Sequence, residues 1–214
     1  MRTCFIAGAG DWDSRTLPRA GDFVIAADGG YAHLREMGAE PDVLLGDFDS
    51  LGEVPTFEDG TRVERFPTEK DDTDMMLAVK HALAQGFRRF VLNGGMGGRL
   101  DHTLANLQAL AHIAVRGGRG FLAGEQSATV ICDGEVRFSA IAGGYVSVFA
   151  YGGEASGVTI EGMKYCVRDV TLTTDEPRGT SNEFTGAPAR VAVRRGMLLV
   201  VWSGGIFDTV EDFL

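Results

Sequence analysis

Residues 90–102 read FVLNGGMGGRLDH, an apolar run that leads into a glycine-rich turn. The apolar run is typical of a buried strand, and the glycines are typical of a tight connection. Leu104, Leu107 and Ala111 then recur at helical spacing, which predicts a helix ending near Val115. Strand, glycine turn and helix in this order are typical of a parallel sheet covered by helices.

The same alternation extends toward the N-terminus. Apolar runs at residues 5–7, 23–27 and 43–45 predict further strands, and a helical pattern follows at 31–37. We therefore expect residues 1–125 to form an α/β domain, with a mostly parallel, Rossmann-like sheet flanked by helices.

The helical period disappears from about residue 126. The sequence of residues 129–138 predicts a β-hairpin with Asp133-Gly134 at its turn. Further short apolar runs follow, with glycines between most of them. This pattern predicts an antiparallel β-sandwich over residues 126–214.

Composition excludes several classes of function. The 214 residues carry 20 Lys and Arg against 30 Asp and Glu, a net charge of −10. That balance argues against binding to nucleic acid and to anionic membranes. No apolar run approaches the roughly 18 residues of a membrane span, and the N-terminus is too polar for a signal peptide, so we expect a cytoplasmic protein.

Cysteine usage favours the same compartment. Cys4, Cys132 and Cys166 are widely spaced. An odd number without a C-x-x-C pair argues against disulfides and against a zinc site. We expect reduced, buried thiols.

A first cluster of carboxylates follows the strand predicted at 43–45. Asp47 and Asp49 are two residues apart, so in extended backbone they share one face. Ligands bind at the carboxyl edge of an open α/β sheet, and paired carboxylates there suit Mg²⁺. The alternative is a solvated, Asp-rich turn.

A second cluster, Lys70-Asp71-Asp72-Thr73-Asp74, precedes an apolar helix. Asp71 and Asp74 lie three residues apart and so share a helical face. Capping of the helix and binding of a metal ion explain these residues equally well. Lys70 could in addition pair with a phosphate.

The third cluster is the glycine-rich turn itself. Gly94, Gly95, Gly97 and Gly98 can present backbone N–H groups to phosphates, although the spacing fits neither a P-loop nor a dinucleotide fingerprint. Arg99 offers a planar fork for a phosphate, and Asp101 could orient it or help to hold a metal. Carboxylates, a glycine turn and an arginine together indicate phosphoryl-type transfer.

Taken in order, these motifs resemble the thiamine pyrophosphokinase family in its bacterial form, over nearly the whole chain. The matching segments are Ala27–Gly30, Pro41-Asp42, Gly46–Ser50, Lys70–Asp74, Gly94–His102 with Asn106, and Ser181–Phe184. The resemblance implies an enzyme that transfers the pyrophosphoryl group of ATP to the thiamine hydroxyl and releases AMP. It also implies that residues 1–125 form the catalytic domain that binds ATP and Mg²⁺, and that residues 126–214 bind thiamine and mediate dimerisation. The expected assembly is a homodimer with the thiamine site at the subunit interface.

The resemblance further implies roles for individual residues. Asp47, Asp49 and Asp74 would hold Mg²⁺, Asp71 would help to activate the hydroxyl, and Arg99 and Asp101 would complete the catalytic set. The nucleotide would contact Asp28, Gly29, Lys70, Gly94, Gly95, Gly97, Gly98 and Arg99, and thiamine would contact Thr73, Ser181 and Asn182.

Two alternatives remain open from the residues. A related pyrophosphokinase could use a pterin alcohol as acceptor, and a nucleotide or thiamine sensor could bind without turnover. The chain also departs from family members that stack thiamine on a Trp shortly after the Ser-Asn pair. Here Phe184 is the nearest aromatic residue, and Trp202 is expected in the core.

Overall fold

The structure is a computed structural model that describes residues 2–48, 60–65, 71–203 and 210. It divides into two compact units. The first comprises residues 1–109 and 122–124, and the second comprises 110–121 and 125–214. The boundary predicted after residue 125 therefore differs from this division, in which the end of one helix and most of the following strand belong to the second unit.

The first unit is built on a parallel sheet. Its strands are β1 (Cys4–Ala7), β2 (Phe23–Ala27), β3 (Val43–Gly46), β4 (Arg62–Arg65) and β5 (Arg89–Asn93). They lie in the order β4-β3-β2-β1-β5, and each neighbouring pair is parallel. Every residue of β1 and β3 is buried, as their continuous apolar runs predict.

Helices cover this sheet. They are α1 (Gly30–Glu36), α2 (Asp74–Ala84) and α3 (Leu100–Ala114), which begins in the first unit. Both α1 and α2 pack on β1 and β2. The α/β class is thus confirmed. With three helices among the described residues, a Rossmann-like sheet flanked on both faces stays a prediction, as does the β-sandwich.

The helix predicted after the glycine turn is confirmed, but the apolar stripe that indicated it is not its most buried face. Leu104 is 53% exposed, whereas Ala109, Leu110 and Ile113 are fully buried. Apolar residues occupy both sides of α3, so periodicity alone does not identify its buried face.

The second unit is antiparallel β structure. Its strands are β6 (Arg119–Leu122), β7 (Ser127–Cys132), β8 (Glu135–Phe138), β9 (Tyr145–Glu161), β10 (Val167–Leu172), β11 (Gly179–Glu183), β12 (Ala189–Ala192) and β13 (Arg195–Trp202). The first half of the long β9 pairs with β11 and with most of β13. Its second half pairs with β10 and β12.

The hairpin predicted for residues 129–138 is wrong. Among the strand pairs of the described residues, β7 pairs with β13 and β8 pairs with β12. Asp133, at the turn between them, has a positive φ of 45° and donates its backbone N–H to Gly196 O at 3.1 Å. The turn therefore sends the chain from one strand partner to another.

An aromatic cluster fills the core of the second unit. The Trp202 ring lies 5.6 Å from that of Phe121 and 5.1 Å from that of Phe138, and Phe184 lies 5.3 Å from Phe138. Trp202 is 1% exposed, so its expected core position is confirmed. Phe184 is also buried, in contact with Phe138.

Two further sequence expectations concern the thiols and membrane spans. All three cysteines are free, but only Cys4 is buried, and Cys166 is exposed. Burial raises the pKa of the Cys4 thiol far above its ordinary value. No helix in the described part of the chain is long and apolar enough to cross a membrane.

Candidate active site

A cleft of about 390 Å³ lies in the first unit. Its walls come from the turns after β1 and β5, the end of β2 and the beginnings of α2 and α3. Ligands in open α/β sheets bind at this carboxyl edge. The predicted site residues that it brings together are Asp28, Thr73, Asp74, Gly94, Gly95, Gly97, Gly98 and Arg99, with His102 and Asn106 beside them.

The floor of the cleft is made by two turns that touch through glycine. Gly8 N donates to Asn93 O and Gly10 N donates to Gly94 O, both at 2.7 Å. Gly94 has a φ of +71°, and a Cβ there would collide with the carbonyl oxygen of Gly8. Only glycine satisfies both the backbone conformation and the close approach. Gly8 and Gly10 fit no dinucleotide fingerprint, since Asp13 stands where its last glycine would be, so their sequence pattern predicts no role for them.

Asn93 fixes the segment that follows β1. Its fully buried side chain accepts from Asp13 N at 2.9 Å and from Gly94 N at 2.8 Å. It donates to Asp13 O at 2.9 Å and to Thr16 O at 2.7 Å. These four bonds tie the glycine turn to a segment 80 residues earlier. A polar residue that ends an apolar strand is the sequence signal for this role.

Asn106 supports the glycine turn from the other side. Its buried side chain donates from Nδ2 to Gly95 O at 2.6 Å. Gly97, with a φ of +83°, lies against the Asp11 carboxylate, and Asp11 pairs with Met96 across an antiparallel bridge. The turn is therefore held on both sides, and four of its five residues, 94–98, bring no side chain into the cleft.

The carboxylates come from the ends of neighbouring strands. Asp28 follows β2 in a left-handed conformation with a φ of 46°, and its N–H donates to Leu45 O at 2.7 Å. Its side chain lies beside Gly46, so Asp47, which follows β3, begins close to it. Asp47 is half-buried but is not among the residues that line the cleft.

A third carboxylate, Asp74, is the first residue of α2 and lines the cleft. Asp49, the remaining predicted metal ligand, lies outside the described residues. Within the described ranges, no group of three or more His, Cys, Asp or Glu side chains is placed to hold a metal ion. The predicted triad of Asp47, Asp49 and Asp74 therefore stays a prediction.

The residues of the Asp-rich segment 71–74 have different structural roles. Thr73 caps α2, since its hydroxyl accepts from Met76 N at 3.2 Å, and this capping role is one of the two that the sequence left open. Asp72 pairs with Lys80 at 2.6 Å. Asp71 is exposed, and Lys70 lies outside the described residues.

Arg99 and Asp101 stand together at the mouth of the cleft. The guanidinium donates from Nε to Oδ1 at 3.1 Å and from Nη2 to Oδ2 at 2.6 Å. This hydrogen bonding lowers the pKa of the Asp101 carboxyl and raises the pKa of Arg99. Asp101 Oδ1 also accepts from His102 N at 3.0 Å, which fixes the carboxylate at the start of α3.

Ser181 and Asn182 belong to the second unit and to strand β11. Ser181 is exposed with a φ of 58°, and its N–H donates to Ser147 Oγ at 3.1 Å. The buried Asn182 accepts from Tyr165 N at 2.9 Å and donates to Tyr165 O at 2.7 Å. Asn182 thus holds the backbone at Tyr165, whereas Ser181 keeps an accessible side chain.

Comparison with known proteins identifies both halves of the chain. The model described as "Thiamin pyrophosphokinase, catalytic domain" matches residues 15–119. The model described as "Thiamin pyrophosphokinase, vitamin B1 binding domain" matches residues 133–198. The thiamine pyrophosphokinase of Bacillus subtilis (strain 168) is 26% identical over 192 residues, 84% of this chain and 86% of that protein.

Solved structures agree. The thiamin pyrophosphokinase of Geobacillus thermodenitrificans is 26% identical with a TM-score of 0.75, covering 96% of this chain and 99% of that one. A thiamin pyrophosphokinase family protein of Enterococcus faecalis is 25% identical with a TM-score of 0.77, covering 96% of this chain and 100% of that one. The enzyme of Candida albicans, at 14% identity and a TM-score of 0.73, covers 94% of this chain and 89% of that one and shares the fold.

Proposed function

Because the chain belongs to the thiamin pyrophosphokinase family and is a transferase of thiamine metabolism, we propose that it transfers the pyrophosphoryl group of ATP to thiamine in a Mg²⁺-dependent reaction. The products would be thiamine diphosphate and AMP. The thiamine hydroxyl oxygen bonds to the β-phosphorus, and the bond from that phosphorus to the oxygen bridging to the α-phosphate breaks. AMP leaves with the electron pair, and the hydroxyl proton passes to a carboxylate, for which the family resemblance offers Asp71.

The observation that carries the proposal is the cleft, where a glycine turn, an arginine and a carboxylate meet. Gly94, Gly95, Gly97 and Gly98 line it without side chains, so a phosphate can approach the backbone closely. Arg99 adds a planar fork at the mouth of the same cleft. Phosphoryl-type transfer depends mostly on positioning and charge neutralisation, which such groups supply.

The carboxylate donors near the cleft fit Mg²⁺, which prefers oxygen ligands and keeps several for water and phosphate. We assign Asp47 and Asp74 as ligands, together with Asp49 outside the described residues. The bound ion would neutralise the charge that develops on the transferred phosphates. Of the two that the structure describes, Asp74 lines the cleft.

For thiamine, the proposal uses Thr73 at the start of α2 and Ser181 with Asn182 on β11. The last two lie within the residues matched by the vitamin B1 binding model, 133–198. The side-chain amide of Asn182 is already hydrogen-bonded to the backbone of Tyr165. We therefore assign direct contact with thiamine to Ser181 and a positioning role to Asn182.

We further propose a homodimer. Large apolar side chains stand exposed on α3, with Leu100 at 72% and Leu104 at 53% exposure. Four residues apart, they lie on one face of the helix, which a second copy would cover. Light scattering at low micromolar concentration tests this, and a monomeric mass that persists at high concentration would contradict it.

The first experiment identifies products. The full chain is incubated with ATP, thiamine and Mg²⁺, with and without EDTA, and nucleotides and thiamine esters are resolved by chromatography. We expect equal amounts of AMP and thiamine diphosphate, both lost with EDTA. ADP with thiamine monophosphate would contradict pyrophosphoryl transfer.

Two additions to this experiment, a pterin alcohol in place of thiamine and equilibrium binding of ATP and thiamine, decide between the alternative functions. The family match over residues 133–198 favours thiamine as the acceptor over a pterin alcohol. AMP formation with a pterin alcohol and none with thiamine would overturn that choice. Binding of both ligands without any turnover would instead indicate a sensor.

A further inference from the structure

An aromatic pair stands beside the cleft and has no role in the proposed chemistry. Trp12 stacks on His33 with ring centroids 4.9 Å apart and an angle of 19° between the planes. The edge of the same indole meets Phe5 of β1 at 6.0 Å. Both Trp12 and His33 remain partly exposed, whereas Phe5 is buried. The pair therefore forms an aromatic surface that is backed by the core and partly open to solvent.

The backbone holds Trp12 from both sides. Asp11 N donates to Met96 O at 2.8 Å, and Asp13 is bound at its N–H and at its carbonyl by Asn93. Trp12 thus sits between two residues that are tied to the end of β5 and to the glycine turn after it. Its neighbour in the stack is fixed as well, since His33 Nε2 donates to Gly10 O at 3.1 Å. A rigid aromatic surface loses little entropy when a ligand stacks on it.

We propose that Trp12, stacked on His33, is the surface on which the base of the nucleotide donor packs. This rests on the proposed function, which puts the phosphates at residues 94–98. Asp11 hydrogen-bonds to Met96 within that turn, and Gly10 lines the cleft. A base carried by phosphates at the turn would therefore meet the wall that bears Trp12.

Charge near the pair favours a base over a phosphate. Asp11 is exposed, and its carboxylate lies against Gly97 on the cleft wall. Asp13, on the other side of Trp12, is ion-paired with Arg15 at 2.7 Å, and Arg15 also binds Gly124 O. A phosphate gains nothing from an aromatic face, whereas a neutral base stacks on such a face whichever base it is.

Fluorescence gives a direct test, because the chain has two tryptophans and Trp202 is buried in the second unit. The full chain is titrated with ATP, with inorganic triphosphate and with thiamine in the presence of Mg²⁺. We expect ATP to change the emission and triphosphate to leave it unchanged. The Trp12→Phe variant, which retains only Trp202, should lose the ATP response.

Kinetics supply the second readout. Loss of a stacked base typically weakens binding on the order of tenfold, so we expect Trp12→Ala to raise the KM for ATP by about that factor. The KM for thiamine and kcat should stay unchanged, and Trp12→Phe should recover most of the affinity. Leu17→Ala, an exposed apolar residue on the same connection, is the matched control and should behave as wild type.

The outcomes separate this inference from the proposed function. Normal formation of thiamine diphosphate with an unchanged KM for ATP in Trp12→Ala would overturn the inference alone. An emission change caused by thiamine rather than ATP would also overturn it. Failure of the wild-type chain to use ATP would overturn the proposed function and the inference together. If Trp12→Ala does not fold, the response of Trp12→Phe still decides.

Discussion

Arg99 and Asp101 form a two-point ion pair, with Nε 3.1 Å from Oδ1 and Nη2 2.6 Å from Oδ2, across a single intervening residue. Both side chains are largely exposed, at 72% and 63%. One edge of the arginine fork is therefore already used, and a phosphate has to take the other edge or displace the carboxylate. Asp101 thus presets the direction of Arg99 while it competes with the expected ligand.

The pair gives a pH signature. Hydrogen bonding from Arg99 holds the pKa of Asp101 below its ordinary value of 3.8. A carboxyl whose pKa is depressed by folding contributes stability above its unfolded pKa and loses that contribution as the pH falls through the folded pKa. We expect carbon-detected NMR to place the Asp101 midpoint below 3.8 in wild type. In Arg99→Gln the midpoint should return toward that value, and an unchanged midpoint would contradict the ion pair in solution.

A positive charge at residue 99 should not be sufficient for full activity without the planar guanidinium of arginine. Arg99→Lys keeps the charge but loses the bidentate geometry, so we expect a clear fall in turnover. Arg99→Ala should cost roughly 100-fold, as for the loss of one donor to a developing charge. Steady-state product formation measures both variants. Arg116→Lys, at an exposed arginine beyond α3, is the control. Equal activity of Arg99→Lys and wild type would remove the fork from the mechanism.

Local pattern predicts part of the fold and not the rest. The strands at residues 5–7, 23–27 and 43–45 were predictable because each is a continuous apolar run, and all but the first two residues of the second run are buried. Strand β4 reads Arg-Val-Glu-Arg and is mostly exposed at the edge of the sheet, so it gives no such signal. The prediction of a hairpin at 129–138 was wrong because β7 pairs with a strand about 70 residues further along the chain, and a local sequence pattern carries no information about so distant a partner.

The candidate site shows the same division. The residue types for phosphate chemistry could be predicted from three short motifs. What holds the site together depends on contacts between distant segments, such as Asn93 with Asp13, 80 residues apart. The local sequence around Gly8 does not indicate that a glycine is required there. The requirement arises because a Cβ at residue 8 would collide with the carbonyl oxygen of Gly94.

That contact between Gly8 and Gly94 makes a stability prediction. Gly94→Ala adds a methyl group that collides with the Gly8 carbonyl, in a left-handed conformation that disfavours alanine. We expect the free energy of unfolding to fall by about 2 kcal/mol or more in urea denaturation. Gly117→Ala has a similar φ of +71° but open space around it, so it should show backbone strain alone, at about 1 kcal/mol. Equal losses in the two variants would contradict the close approach.

Substitutions of Ser181 and Asn182 should distinguish a residue that contacts thiamine from one that positions the backbone. Asn182→Ala leaves the Tyr165 N–H and carbonyl without their partner, which costs about 1–3 kcal/mol of stability. Ser181 is exposed, so Ser181→Ala should leave the free energy of unfolding unchanged and raise the KM for thiamine. Denaturant unfolding and initial rates on the same preparations measure both effects. A stable Asn182→Ala with a raised KM would reverse the two roles.

Asp74 offers the sharpest test of the metal assignment, because a negative charge at a helix N-terminus and a Mg²⁺ ligand predict different losses on substitution. As the first residue of α2, Asp74 favours the helix dipole by about 0.3–1 kcal/mol. If it also binds the metal, Asp74→Asn should cost roughly 100-fold or more in turnover and raise the Mg²⁺ concentration needed for half-maximal rate. Asp72→Asn breaks the 2.6 Å pair with Lys80, and a surface pair is worth about 0–1 kcal/mol. The two variants should thus lose similar stability and differ in catalysis and in Mg²⁺ dependence. Equal turnover in both would leave Asp74 only its favourable charge at the start of α2.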